Sequence, residues 1–90
     1  MQLDNMLLQA CRNNQRGVVQ AFLKRGGVDV NKRDESGNTP LIYVCMKSAR
    51  DLAKLLLDSG ADVNLGNQKN RMPIHFAGES GNFQIISMLI

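Results

Sequence analysis

Three side chains in this sequence are of the types from which nucleophilic or metal chemistry is built: Cys11, Cys45 and the single histidine, His75. Paired with Cys45 or with Ser80, that imidazole could serve as the base that activates a thiol or a hydroxyl. Such catalysis also needs a group to orient the base and a pocket to hold substrate, and no spacing in the sequence supplies them. A structural zinc site takes about four ligands. Two cysteines and one histidine fall short of that number. No catalytic, cofactor-binding or metal-binding residue is therefore expected, and no cofactor. A small thiol enzyme is the least favoured reading, which rapid, pH-dependent thiol labelling of the folded chain would revive.

The elements that would position these residues follow from composition. Ninety residues make one domain, of a size that buries only about 60% of its unfolded surface. Apolar residues are 43% and charged residues 21%, with no Trp, one Tyr and three Phe. The core must be filled by Leu, Ile, Val, Met and Ala, which favours packed helices over sheets. No apolar run approaches the roughly 18 residues of a membrane span, and the first residues lack a signal-peptide pattern. Cys11 and Cys45 lie in apolar surroundings, as reduced structural thiols do. A cytoplasmic or nuclear location is the expectation, with no membrane association. The net charge of +3 comes from Lys and Arg interspersed with Asp and Glu. Without a basic stripe or stacking aromatics, nucleic-acid binding is the weaker alternative to protein binding.

Self-comparison gives the strongest signal. Pro40 and Pro73 lie 33 residues apart, as do Leu41 and Ile74, Tyr43 and Phe76, Leu52 and Ile85, and Leu56 and Leu89. Asp29-Val30-Asn31 returns at the same interval as Asp62-Val63-Asn64. The first helices match at 34, Ala10-Cys11 answering Val44-Cys45, because one extra residue sits in Gly26-Gly27-Val28. Repeats of this length signify stacked supersecondary units. Each unit carries a short helix rich in small residues and then a helix with apolar pairs at i, i+1, i+4 and i+5, one buried stripe. In the second helices these are Val18, Val19, Phe22 and Leu23; Leu52, Ala53, Leu56 and Leu57; Ile85, Ile86, Leu89 and Ile90. Pro40 and Pro73 suit a first helical turn, Thr39 can cap the helix behind Pro40, and Gly26 and Gly60 can end helices in left-handed geometry. Asn31 to Asn38 and Asn64 to Arg71 are polar, with Gly37, Gly66 and Asn70 for tight turns. Cys11, Cys45 and Gly78 form one column of small residues. Helix axes pack about 8–10 Å apart, whereas a disulfide needs Cα atoms within about 7 Å, so the two thiols should be unbridged.

Gly37-Asn38-Thr39-Pro40-Leu41, the Leu56-Leu57 pair and Gly60-Ala61-Asp62-Val63-Asn64 resemble the ankyrin repeat. The resemblance covers nearly the whole chain as a single domain, with units of about 1–33, 34–66 and 67–90, the last cut short. It implies an all-α stack of about two and two-thirds helix-loop-helix units with β-hairpin fingers, and a non-catalytic role as a scaffold that binds other proteins. It also implies that His75 is a structural hydrogen-bonding residue. The chain departs from the family pattern at Ile42, Met72, Asn67, Asn70 and Ser48, so weaker hydrogen bonding is expected around the third unit. Positions that commonly touch partners in the family correspond to Arg33, Glu35, Ser36, Asn38, Met46, Lys47, Gln68, Lys69, Arg71, Glu79 and Ser80. Tyr43 and Phe76 are read as partly buried packing that also qualifies as interface anchors. Basic residues outnumber acidic ones in this set, so the expected partner is a protein offering an acidic segment.

Two ends complete the expectations. Asp4 or Asn5 can cap the first helix, and Gln2, Gln9, Arg16 and Gln20 suit a polar N-terminal unit. At the other end Ile86, Met88, Leu89 and Ile90 are expected to leave apolar surface open, covered either by continuation of the array or by self-association with a second copy.

Overall fold

A computed structural model describes residues 3–90. The expectation for Gln2 lies outside those residues. Among them are six helices and no strand: α1 (Leu3–Arg12), α2 (Arg16–Arg25), α3 (Pro40–Met46), α4 (Arg50–Asp58), α5 (Pro73–Glu79) and α6 (Phe83–Leu89). Each odd helix packs on the even helix that follows it. The odd helices also pack on one another in an inner row, α1 on α3 on α5, and the even helices in an outer row, α2 on α4 on α6.

The offset between units is reproduced atom by atom. In the turn between inner and outer helix, Asn14, Ser48 and Gly81 all adopt left-handed backbone, at φ 56°, 53° and 66°. The next residue in each closes the same bond back into the inner helix: Gln15 N–H to the Ala10 carbonyl at 2.8 Å, Ala49 to Val44 at 2.9 Å, Asn82 to Ala77 at 3.1 Å. The extra residue of the first unit is absorbed by a second left-handed glycine. Gly26 and Gly27 stand at φ 76° and 75°, where the second unit needs only Gly60.

Pro40 and Pro73 open α3 and α5 at the first turn, where the missing N–H costs nothing. Thr39 caps α3 as expected, its Oγ1 accepting from Ile42 N–H at 3.2 Å. The expected cap of α1 needs correction. Asp4 and Asn5 lie inside that helix, and Asp4 Oδ1 instead accepts from the Asp29 N–H at 2.8 Å. Asn31 does the equivalent work one unit on, accepting from Asp62 N–H at 2.8 Å.

The core is the facing stripe of both rows. Leu7, Cys11, Leu41, Ile42, Val44, Cys45, Val19, Leu52, Ala53, Leu56 and Ile85 are all buried. Of the predicted outer stripe, Val18 is half-exposed and Ile90 is open to solvent, while Leu89 is buried and Ile86 and Met88 are partly buried against the core. Of the four residues expected to leave apolar surface open, only Leu89 is buried; Phe83 is 78% exposed. Across the outer row, Arg16 grips Asp51 through Nε at 2.7 Å and Nη2 at 3.1 Å, and Arg50 donates to Gln84 in the next pair. The guanidinium holds the Asp51 carboxyl below its ordinary range, chiefly through that hydrogen bond. Exposed as it is, the pair sets register between units more than it adds stability.

The fingers are hairpin turns whose cross-bonds are too few to build paired strands. In the first, Asp34 N–H donates to the Asn38 carbonyl at 3.0 Å and Gly37 N–H to the Asp34 carbonyl at 2.9 Å. The second repeats both bonds between Asn67, Arg71 and Asn70. Gln68 N–H donates to the Ser36 carbonyl at 2.9 Å, a backbone bond between the two, which side-chain bonds from Gln68 and Asn67 reinforce.

Candidate functional site

A concave groove of about 990 Å³ opens between the first finger and the inner helices α1 and α3. Its construction begins with Asp34. One carboxylate oxygen accepts the N–H groups of Ser36 at 3.0 Å and Asn38 at 2.9 Å, which sets the turn. The other accepts the hydroxyl of Tyr43, on α3, tying finger to helix. Asn38 Nδ2 also reaches that hydroxyl, at 3.4 Å. Burial first, and then the bond to Asp34, raise the Tyr43 phenol above its ordinary pKa. The wall so fixed carries Arg33, Glu35 and Ser36 at the finger, with Met46 and Lys47 at the end of α3.

Seven of the residues expected to meet a partner are brought together here: Arg33, Glu35, Ser36, Asn38, Tyr43, Met46 and Lys47. The other six belong to the second finger and α5, and most are engaged within the chain. Gln68 is a strut, its side chain donating to the Glu35 carbonyl at 2.6 Å. Arg71 lies 4.5 Å from the centre of the Phe76 ring and is bonded to Glu79. Ser80 Oγ donates to the Phe76 carbonyl at 3.0 Å. Lys69 stays exposed at the tip. Tyr43 and Phe76 are each 9% exposed, which bears out their packing role and leaves little ring surface in the free molecule.

Sequence reasoning missed Arg12 and Lys32, which also line the groove. Arg12 was within reach: it precedes Met46 by the 34-residue offset of the first unit, in the column that continues to Glu79. Lys32 gave no such signal, because Leu65 holds the equivalent place.

The chemistry-bearing residues are placed for structure. His75 Nδ1 accepts the Met72 N–H at 2.8 Å, so the side chain closes the start of α5. Cys11 and Cys45 are free and fully buried, and burial pushes both thiols up to about 12. An unfolded thiol ionises near 8.5, so the stability this confers is full below about pH 8.5 and drains away as pH rises towards 12. Among the described residues no group of three or more His, Cys, Asp or Glu side chains is placed to hold a metal ion. No helix there is long and apolar enough to cross a membrane.

An inner row, an outer row and fingers projecting from the seams define a helical repeat stack. The family model for ankyrin repeats in three copies matches residues 7–90, and the chain belongs to the ankyrin-repeat family. It is 32% identical over 81 residues to human inversin, a match covering 90% of this chain and 8% of that protein. It is 33% identical over 87 residues to human BCL-6 corepressor-like protein 1, covering 97% of this chain and 5% of that protein. A putative ankyrin repeat protein of Rickettsia bellii is 33% identical over 67 residues, covering 74% of this chain and 40% of its own length. The chain thus spans less than half the length of each of these relatives. Ankyrin repeats are in general non-enzymatic modules of protein–protein interaction.

Proposed function

We propose that this chain holds a partner protein by an acidic segment laid in the groove between the first finger and the inner helices. The observation that carries this reading is the charge of the lining: Arg12, Lys32, Arg33 and Lys47 against Asp34 and Glu35. Asp34 is already occupied by Tyr43 and by the finger's own N–H groups, so its charge is partly answered within the chain. A cation-rich concavity favours an anionic ligand, with attraction that weakens as salt screens it. The buried, unbridged thiols suit a reducing compartment, the cytoplasm or the nucleus. The open side chain of Phe83 favours a second reading, a contact with another copy. Sedimentation tests it, since a monomer at high concentration removes it.

The test of the main reading is retention of matched acidic, neutral and basic peptides on the immobilised chain across a salt series. Acidic peptides should be held best and released as salt rises. Equal retention of acidic and basic peptides would refute it, and tighter retention of random single-stranded DNA would replace it with the nucleic-acid alternative.

A further inference from the structure

The groove is not uniform along the stack. Arg12, Met46 and Glu79 occupy equivalent positions at the ends of α1, α3 and α5, so one line across the inner row passes from a cation through an apolar side chain to an anion. Around Arg12 and Met46, the cations Lys32, Arg33 and Lys47 complete the first-finger end. Among the described residues, none of these four cations forms a salt bridge. Met46 between them is 38% exposed, one of the few large apolar side chains left open. The third unit is already answered. Glu79 takes Arg71, whose guanidinium also lies on Phe76, and Leu65 and Gly66 stand where the first finger has Lys32 and Arg33.

Resting on the acidic-segment reading, the geometry points to one-sided recognition: an extended peptide whose apolar side chain sits on Met46 and whose carboxylates lie only towards Arg12. Neighbouring helices pack about 8–10 Å apart and an extended chain advances about 3.3 Å per residue. The carboxylates therefore fall about three residues to one side of the apolar anchor. Carboxylates carried past it along the same line meet Glu79, and the exposed Lys69 at the second finger tip is set apart from the four grouped cations. Exposed pairs are individually weak, so selectivity comes from the four cations grouped around Arg12 and Met46 and from the like charge of Glu79 beyond them.

The test uses short synthetic peptides with a single leucine, titrated against the isotope-labelled chain and followed by amide NMR shifts. Acidic residues are placed on one side of the leucine in either chain order, on both sides, or throughout with no leucine. One of the one-sided peptides should bind at least as tightly as the two-sided peptide despite its smaller charge. It should shift the amides of Arg12, Met46 and Lys47. The pair Arg12→Gln and Lys47→Gln should weaken it about fivefold, while Lys69→Gln with Arg71→Gln changes it by less than about twofold. Equal weakening by both pairs, or tighter binding of the two-sided peptide, overturns the one-sided placement while leaving the acidic-segment reading intact. Failure of every acidic peptide to bind overturns both, and equal shifts from oligothymidylate would make the surface a general polyanion patch.

Discussion

At the foot of the first finger, Tyr43 donates to Asp34 and Thr39 caps α3, whereas at the foot of the second, Phe76 lies under Arg71 and Met72 holds the cap position. The two corners share a register and differ in how they are closed. The first uses hydrogen bonds among part-buried groups and keeps its surface cations free. The second spends a surface cation on an aromatic face and a carboxylate, and recruits His75 to bond the N–H at its helix start. Unlike chemistry can thus hold one backbone geometry, and the choice decides which charges remain for a partner.

The widest difference expected between the corners lies at the finger turns. Gly37 stands at φ 80°, and a Cβ there would come within 2.8 Å of the Gln68 backbone nitrogen in the neighbouring finger. Asn70 holds the equivalent left-handed place at φ 59°, a conformation asparagine tolerates. Gly37→Ala should cost about 2–3 kcal/mol in urea unfolding, from left-handed strain plus backbone crowding. Asn70→Gly should stay within about 0.5 kcal/mol. Similar losses at both sites would mean that the fingers are not packed on each other.

A smaller contrast separates the aromatics. Tyr43→Phe removes the hydroxyl that Asp34 and Asn38 share and should cost about 1–2 kcal/mol. It should also loosen the first finger, seen as faster amide exchange at Ser36 and Asn38. Phe76→Leu keeps an apolar side chain but loses the ring under Arg71, and should cost no more than about 1 kcal/mol beyond its lost area.

The caps give the smallest effects, with opposite signs. Thr39→Ala should destabilise by about 1 kcal/mol through loss of the bond to Ile42 N–H. Met72→Thr should stabilise by up to about 1 kcal/mol by placing a hydroxyl, a stronger acceptor than the thioether, at the cap of α5. Thermal melting of both variants checks the pair, and destabilisation by Met72→Thr would show that the thioether's packing outweighs the stronger cap.

What was legible beforehand was whatever repeats. The prolines, the apolar pairs and the helix-ending glycines recur at fixed offsets because every unit must bury the same stripe, so the helices, their order and the small-residue column followed from spacing. The weaker hydrogen bonding expected in the third unit is not found at its finger turn. Asn67 Oδ1 accepts the Lys69 and Arg71 N–H groups at 2.9 and 3.1 Å, matching Asp34, and its amide adds a bond to Asn38 at 3.0 Å. An amide oxygen accepts as a carboxylate does, and substitution of type was not loss of function. The candidate surface was half legible. Positions came from register, but register is silent on which cations find partners, and Arg71 is withdrawn by contacts to two residues that no spacing rule pairs.

The columns themselves are most directly tested by the thiols. Cys11 and Cys45 share one column, fully buried with ionisation pushed up to about 12. Labelling with a disulfide reagent across a urea series should modify both at the same rate, rising with urea as steeply as global unfolding does, because neither sulfur is reachable until the stack opens. Rapid labelling of either thiol in the absence of urea, at the rate of an unfolded peptide, would contradict the stacked arrangement.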